Sequence, residues 1–153
     1  MDLPLKAHHI VPRLATGAFI LHAGLGKLSA DEQTEQGLHA MAIQAYPFLG
    51  RLSPHRFTRL LGTAEVTLGA ALLAPLVPSA VAGAGLTAFS SGLVGLYLRT
   101  PGAHAKGSPL PTQQGIPLAK DTWLLAIGLG LLTDRASWSW PRLRARRRCA
   151  RRR

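Results

Sequence analysis

No Asp, Glu, Lys or Arg occurs between Glu65 and Arg99, a run of thirty-three residues broken near its middle by Pro75 and Pro78. As one straight helix it would extend about 50 Å, against a hydrocarbon core of about 30 Å. Divided at the Pro-Leu-Val-Pro-Ser turn it becomes two helices, each near the roughly twenty residues that a bilayer requires. The run therefore reads as a helical membrane hairpin.

Two further segments fit beside it. Residues 10–28 are apolar except for Arg13, His22 and Lys27, and residues 118–133 except for Lys120 and Asp121, with Trp138 and Trp140 beyond. The first is not read as a secretory signal, because His22 and Lys27 interrupt its apolar core and no small-x-small cleavage site follows. The expected architecture is an all-α membrane protein. It is a four-helix transmembrane bundle with spans at about 10–28, 60–77, 80–98 and 118–133 and a short interfacial helix in the first outer loop. That helix falls within Asp31 to Leu49, where Leu38, Met41, Ala42, Ala45 and Leu49 share helical spacing up to Tyr46, Pro47 and Phe48. Residues 100–117, rich in Pro and Gly, are expected to be irregular and exposed. Four spans use nearly all of the 153 residues, which leaves no room for a separate soluble catalytic domain.

The net charge of +11 is largely a property of residues 134–153, which hold nine Arg against one acid. Beside a span, such a tail reads as a disordered cytoplasmic anchor that contacts anionic lipids, and that role accounts for it without nucleic acid. With an even number of spans, residues 1–9 are cytoplasmic too and both long loops face outward. Cys149 is the only cysteine, so neither an intramolecular disulfide nor paired-thiol chemistry is available. His22 is the only histidine within an expected span, which argues against bis-histidine haem, and no metal site is expected. His39, His55 and His104 read as solvated loop histidines.

The charges within the spans fall on glycine faces. Arg13, Gly17, Gly24 and Lys27 form one stripe, Gly62, Glu65 and Gly69 a second, and Asp121 and Gly128 a third. Glycines mark helix contacts in lipid, so these stripes should point into the bundle. The third span, with Gly83, Thr87, Ser91 and Gly95 at intervals of four, reads as a packing helix whose partner is the second span. Lys27, Glu65, Lys120 and Asp121 should all lie in the outer half, summing to zero charge, with His22 somewhat deeper. Arg13, near the inner end, reads as an interhelical tie or a contact for a lipid or quinone headgroup. The structural alternative is that both lysines snorkel to water and Asp121 caps its helix.

In their order, Arg13, Gly17, Phe19, Gly24 and Gly26-Lys27-Leu28, then Gly62-x-x-Glu65, Gly69 and Leu72-Leu73, then Lys120-Asp121, this chain resembles the DoxX family over residues 10–133. The resemblance implies a multi-pass protein of the bacterial inner membrane associated with quinone-linked redox pathways. On that basis the chain is expected to be a subunit or partner of a redox assembly. It would have a quinone-sized pocket near Lys27, Glu65, Lys120, Asp121 and His22, and membrane or soluble redox proteins as partners. It carries no self-sufficient catalytic motif. A noncatalytic scaffold or assembly factor is the alternative, and a small transporter the third reading.

Overall fold

The computed structural model describes residues 7–105 and 107–133, and among these the architecture is helical. The Arg-rich tail at 134–153, Trp138, Trp140, Cys149 and residues 1–6 lie outside the described residues. In chain order the elements are α1 (Ala7–Leu28), α2 (Glu32–Ala45), a 3-10 turn (Pro47–Arg51), α3 (Pro54–Leu73), α4 (Ser79–Arg99), α5 (Ile116–Ala119) and α6 (Asp121–Thr133).

Local chemistry sets most boundaries. The Asp31 carboxylate accepts from the Thr34 N–H and starts α2, as Ser53 does for α3 through Arg56, with Pro54 at the first helical position. The N-terminus of α3 thus lies earlier than the expected residue 60, because Ser53-Pro54 is an initiation signal. Its end comes at Leu73 rather than Val77, since the residue before Pro75 is driven out of the helical region. Helices α5 and α6 are separated only by Lys120, whose backbone remains helical, and they behave as one rod of 18 residues.

Among the described residues two helices, Ser79–Arg99 and Ile116–Thr133, are long and apolar enough by themselves to cross a membrane. The 22 residues of α1 and the 20 of α3 give comparable lengths, but both carry charges.

Packing divides the long helices into two antiparallel pairs, α1 with α3 and α4 with the α5–α6 rod. Glycine makes each pair possible. A Cβ on Gly69 would lie 2.6 Å from the backbone N of Leu21, and one on Gly24 would lie 2.8 Å from Gly62 O. In the other pair a Cβ on Gly83 would meet Leu131 Cβ at 2.7 Å, and one on Gly128 would meet Thr87 N at 2.8 Å. The small-residue stripe of α4 therefore faces α6, which corrects the expectation that it packs on α3. The glycine face of α3 is already turned toward α1, so the short turn between α3 and α4 connects two pairs rather than making one. Further along that stripe Ser91 is exposed and Gly95 lies against Tyr46, the residue that follows α2. Ile20, Leu72, Ala82, Leu86 and Leu131 form the core where the pairs meet.

The 100–115 connection is irregular but tied down, and not exposed throughout. Ala105 N donates to Leu110 O and Thr112 N to Ala103 O, each at 3.0 Å, while the buried Tyr97 hydroxyl donates to Pro109 O at 2.7 Å. These bonds satisfy backbone groups that the prolines would otherwise leave unpaired and bury Ala103.

Candidate functional site

At the α2 end of the bundle, close helix approach sets up a polar centre. Because Gly24 and Gly62 let α1 and α3 touch backbone to backbone, the neighbouring Lys27 and Glu65 are brought within bonding distance. Lys27 Nζ donates to Glu65 Oε2 at 2.8 Å, with side-chain exposures of 20% and 7%. Asp121, at the start of α6, is half-buried and faces the same space. Its carboxylate has no hydrogen bond or ion pair among the described residues.

These three groups line a cavity of about 420 Å³ between the two helix pairs. Its other walls are apolar, with Phe19, Phe57 and Phe89 contributed by three different helices. Helix α2 roofs it with Leu38, Met41 and Ala42, followed by Tyr46 just past its end and Leu49 from the 3-10 turn. Tyr46 holds that roof in place. Its hydroxyl donates to Gly92 O at 2.9 Å, the Arg99 guanidinium lies 4.8 Å from its ring centroid, and Gly95 leaves room for the ring. The buried Glu35 accepts from His55 Nδ1 at 2.9 Å, and His39 Nε2 bonds Leu49 O at 3.0 Å beside the Phe57 ring. His39 is thus a buried tether, not a solvated loop residue, and His55 fastens α3 to α2. His104 is half-buried, with Nε2 3.2 Å from Leu98 O.

The five residues expected to form the polar cluster do not all converge. Lys27, Glu65 and Asp121 share the cavity. Lys120 is exposed and lies 6.0 Å from the Phe19 ring centroid, in a separate groove between α1 and α6. His22 is exposed and lines none of the cavities described, because five residues of helix separate it from Lys27 by about 140° of rotation at 3.6 residues per turn. Among the described residues, no three His, Cys, Asp or Glu side chains come together as a metal site. Tyr46 and Phe89 are additional cavity residues that sequence spacing did not single out.

Arg13 occupies the opposite end, about 21 Å from Lys27 along α1 at the helical rise. Its Nε donates to Leu72 O at 2.7 Å, one terminal nitrogen to Val77 O and Ser79 Oγ at 2.8 and 3.1 Å, and the other to Ala71 O and Ala74 O at 2.9 and 2.8 Å. The reason lies in the prolines. Ala71 and Ala74 are four residues before Pro75 and Pro78, which have no N–H to donate back, so the guanidinium supplies the missing donors. Ser79 Oγ is also 3.0 Å from His9 Nδ1. Every guanidinium N–H is engaged within the chain and the residue is 2% exposed. Arg13 is an interhelical tie with no donor left for a lipid or quinone headgroup.

A family model described as methylamine utilisation protein MauE matches residues 6–134, all but the ends of the chain. The chain belongs to the MauE family. This is a family of membrane proteins, and with the apolar α4 and α5–α6 rods it makes the chain a helical membrane protein. The match names MauE rather than DoxX, whose resemblance rests on the short motifs alone; both are families of small membrane proteins. No curated protein and no solved structure matches the chain.

Proposed function

We propose that this MauE-family protein is a four-span membrane subunit of a redox assembly, of the kind that methylamine utilisation would employ, and that its cavity receives a quinone. The cavity is the observation that carries the reading. At about 420 Å³ it lies in the size range of small-molecule sites, and it combines apolar walls with a few convergent polar groups.

Burial supports all four helices as spans. Arg13, Lys27 and Glu65 are turned inward on α1 and α3, whereas Val11, Leu14, Leu25 and Leu60 are exposed on the outer faces of the same helices. That is the pattern of a bundle whose solvent is lipid. A cytoplasmic arginine tail would put the α2 end, and with it the cavity, at the outer side of a bacterial inner membrane.

The residues fit a quinone head. Lys27 uses one of its three N–H donors on Glu65, leaving others for a carbonyl oxygen, and Glu65 holds the ammonium in place. Asp121 is free to exchange a proton with the head. Phe19, Phe57 and Phe89 offer ring faces and exclude water. When bound, the quinone would take up two electrons and two protons to become a quinol, the electrons coming from a redox protein partner.

The test is purification from native membranes in mild detergent, followed by identification of the lipid-soluble molecules and proteins that accompany the chain. A bound quinone together with a redox protein is the expected result. Phospholipid alone, with membrane proteins that have no redox centre, would overturn the reading and favour the scaffold.

A further inference from the structure

A second concave surface lies between α1 and α6. It is a groove of about 280 Å³ lined by Ala15, Thr16 and Phe19 from one side and Asp121, Trp123, Leu124 and Ile127 from the other, with Lys120 at its outer end. Phe19, Asp121 and Leu124 also line the main cavity, so the two spaces are separated only by side chains that belong to both. The groove follows α6 from Lys120 to Ile127, about 10 Å at the helical rise. Its polarity is ordered, with both charges at one end and apolar or small residues along the remainder.

The packing leaves this seam weak. Each helix pair is fastened by glycine contacts, but α1 and α6 touch only sparsely, so the seam can widen without separating either pair. Above the cavity, by contrast, α2 is held by Tyr46 on α4 and by the Glu35–His55 pair on α3. The lateral seam is the less obstructed route. Trp123 is 74% exposed and Phe19 54% exposed along it, which places aromatic edges where a lipid-dissolved molecule would arrive.

The geometry points to the α1–α6 groove as the doorway from the bilayer into the cavity and as the seat of the ligand's apolar tail. This rests on the cavity reading above and narrows it. The ligand is a single-tailed amphiphile whose polar head reaches Lys27 and Asp121 while its chain lies between Thr16 and Ile127. Phe19 is the gate, because its ring lines both spaces.

The test uses the full chain in nanodiscs and two probes with the same decyl tail ending in a diazirine, one with a benzoquinone head and one with an alcohol head. Photolysis of the quinone probe should label groove residues such as Thr16 and Trp123, and Ala15→Trp or, from the opposite wall, Ile127→Trp should abolish that labelling. If a tailless benzoquinone still binds while the decyl probe labels all helix faces alike and neither substitution alters the pattern, the doorway is refuted and the cavity reading stands. If the alcohol probe labels the groove and both substitutions block it while no quinone binds, the groove stands and the quinone reading falls.

Discussion

Replacing Arg13 by Met removes five donors while leaving their acceptors in place. Ser79 Oγ retains His9, and Ala74 O retains the Val77 N–H at 3.2 Å, so Ala71, Leu72 and Val77 are the carbonyls left without a hydrogen bond. An unsatisfied buried polar group costs about 1–3 kcal/mol, which sets an upper range of about 3–9 kcal/mol for the three. Two of the bonds are only part-buried, and removing the cation relieves its own desolvation cost, so the net loss should fall near the lower end, about 3–5 kcal/mol. Arg13→Lys should lie between, because an ammonium has three donors and no fork with which to reach carbonyls on both sides of the turn. Equilibrium unfolding of the purified protein in mixed micelles measures both variants against the parent. A loss below about 0.5 kcal/mol for Arg13→Met, the scale of an unremarkable surface substitution, would refute the assignment of Arg13 as the device that closes the proline turn.

Three other outcomes follow from the same geometry. Gly69→Ala should destabilise the α1–α3 pair by about 1–3 kcal/mol, because the new Cβ meets backbone, whereas Gly26→Ala, with open space around it, should be neutral or slightly stabilising; equal effects would count against glycine-mediated contact. Thr58 is fully buried and its hydroxyl has no partner among the described residues, so Thr58→Val should leave the unfolding midpoint unchanged or raise it, and a clear drop would contradict this. Hydrogen bonds from Thr34, first its side chain and then its backbone N–H, hold the Asp31 carboxyl below its ordinary value, so its stabilisation is complete above the unfolded value near 3.9 and disappears as pH falls through the lower folded one. The stability gap between the parent and Asp31→Ala should accordingly be constant at neutral pH and close in acid, and a gap that persisted in acid would exclude the cap.

The helical class was legible because it depends on a long charge-free run, and glycine spacing marked the faces that meet. Which faces meet was not legible. Gly83, Thr87 and Gly128 have the same chemistry as Gly62 and Gly69, so spacing alone could not assign α4 to α6. Lys27, Glu65 and Asp121 could be grouped from their helical faces, but Lys120 and His22 joined them on depth alone, and depth says nothing of rotation about the helix axis. The role of Arg13 had a readable signal, two prolines whose missing N–H groups deprive the carbonyls of Ala71 and Ala74 of their usual helical donor. Its use required knowing that α1 crosses that turn. Tyr46 went unrecognised as a clamp because its partners, Gly92 and Arg99, are distant in sequence and ordinary in type.

The most direct measurement is the affinity of a decyl-tailed benzoquinone for the nanodisc protein, compared with that of the double variant Lys27→Met, Glu65→Leu, which removes the ammonium without leaving an unpaired carboxylate. Loss of one charged hydrogen bond, about 1.5–3 kcal/mol, should weaken binding by roughly tenfold or more. Equal affinity in the two proteins would contradict the assignment of the Lys27 cavity as the ligand site.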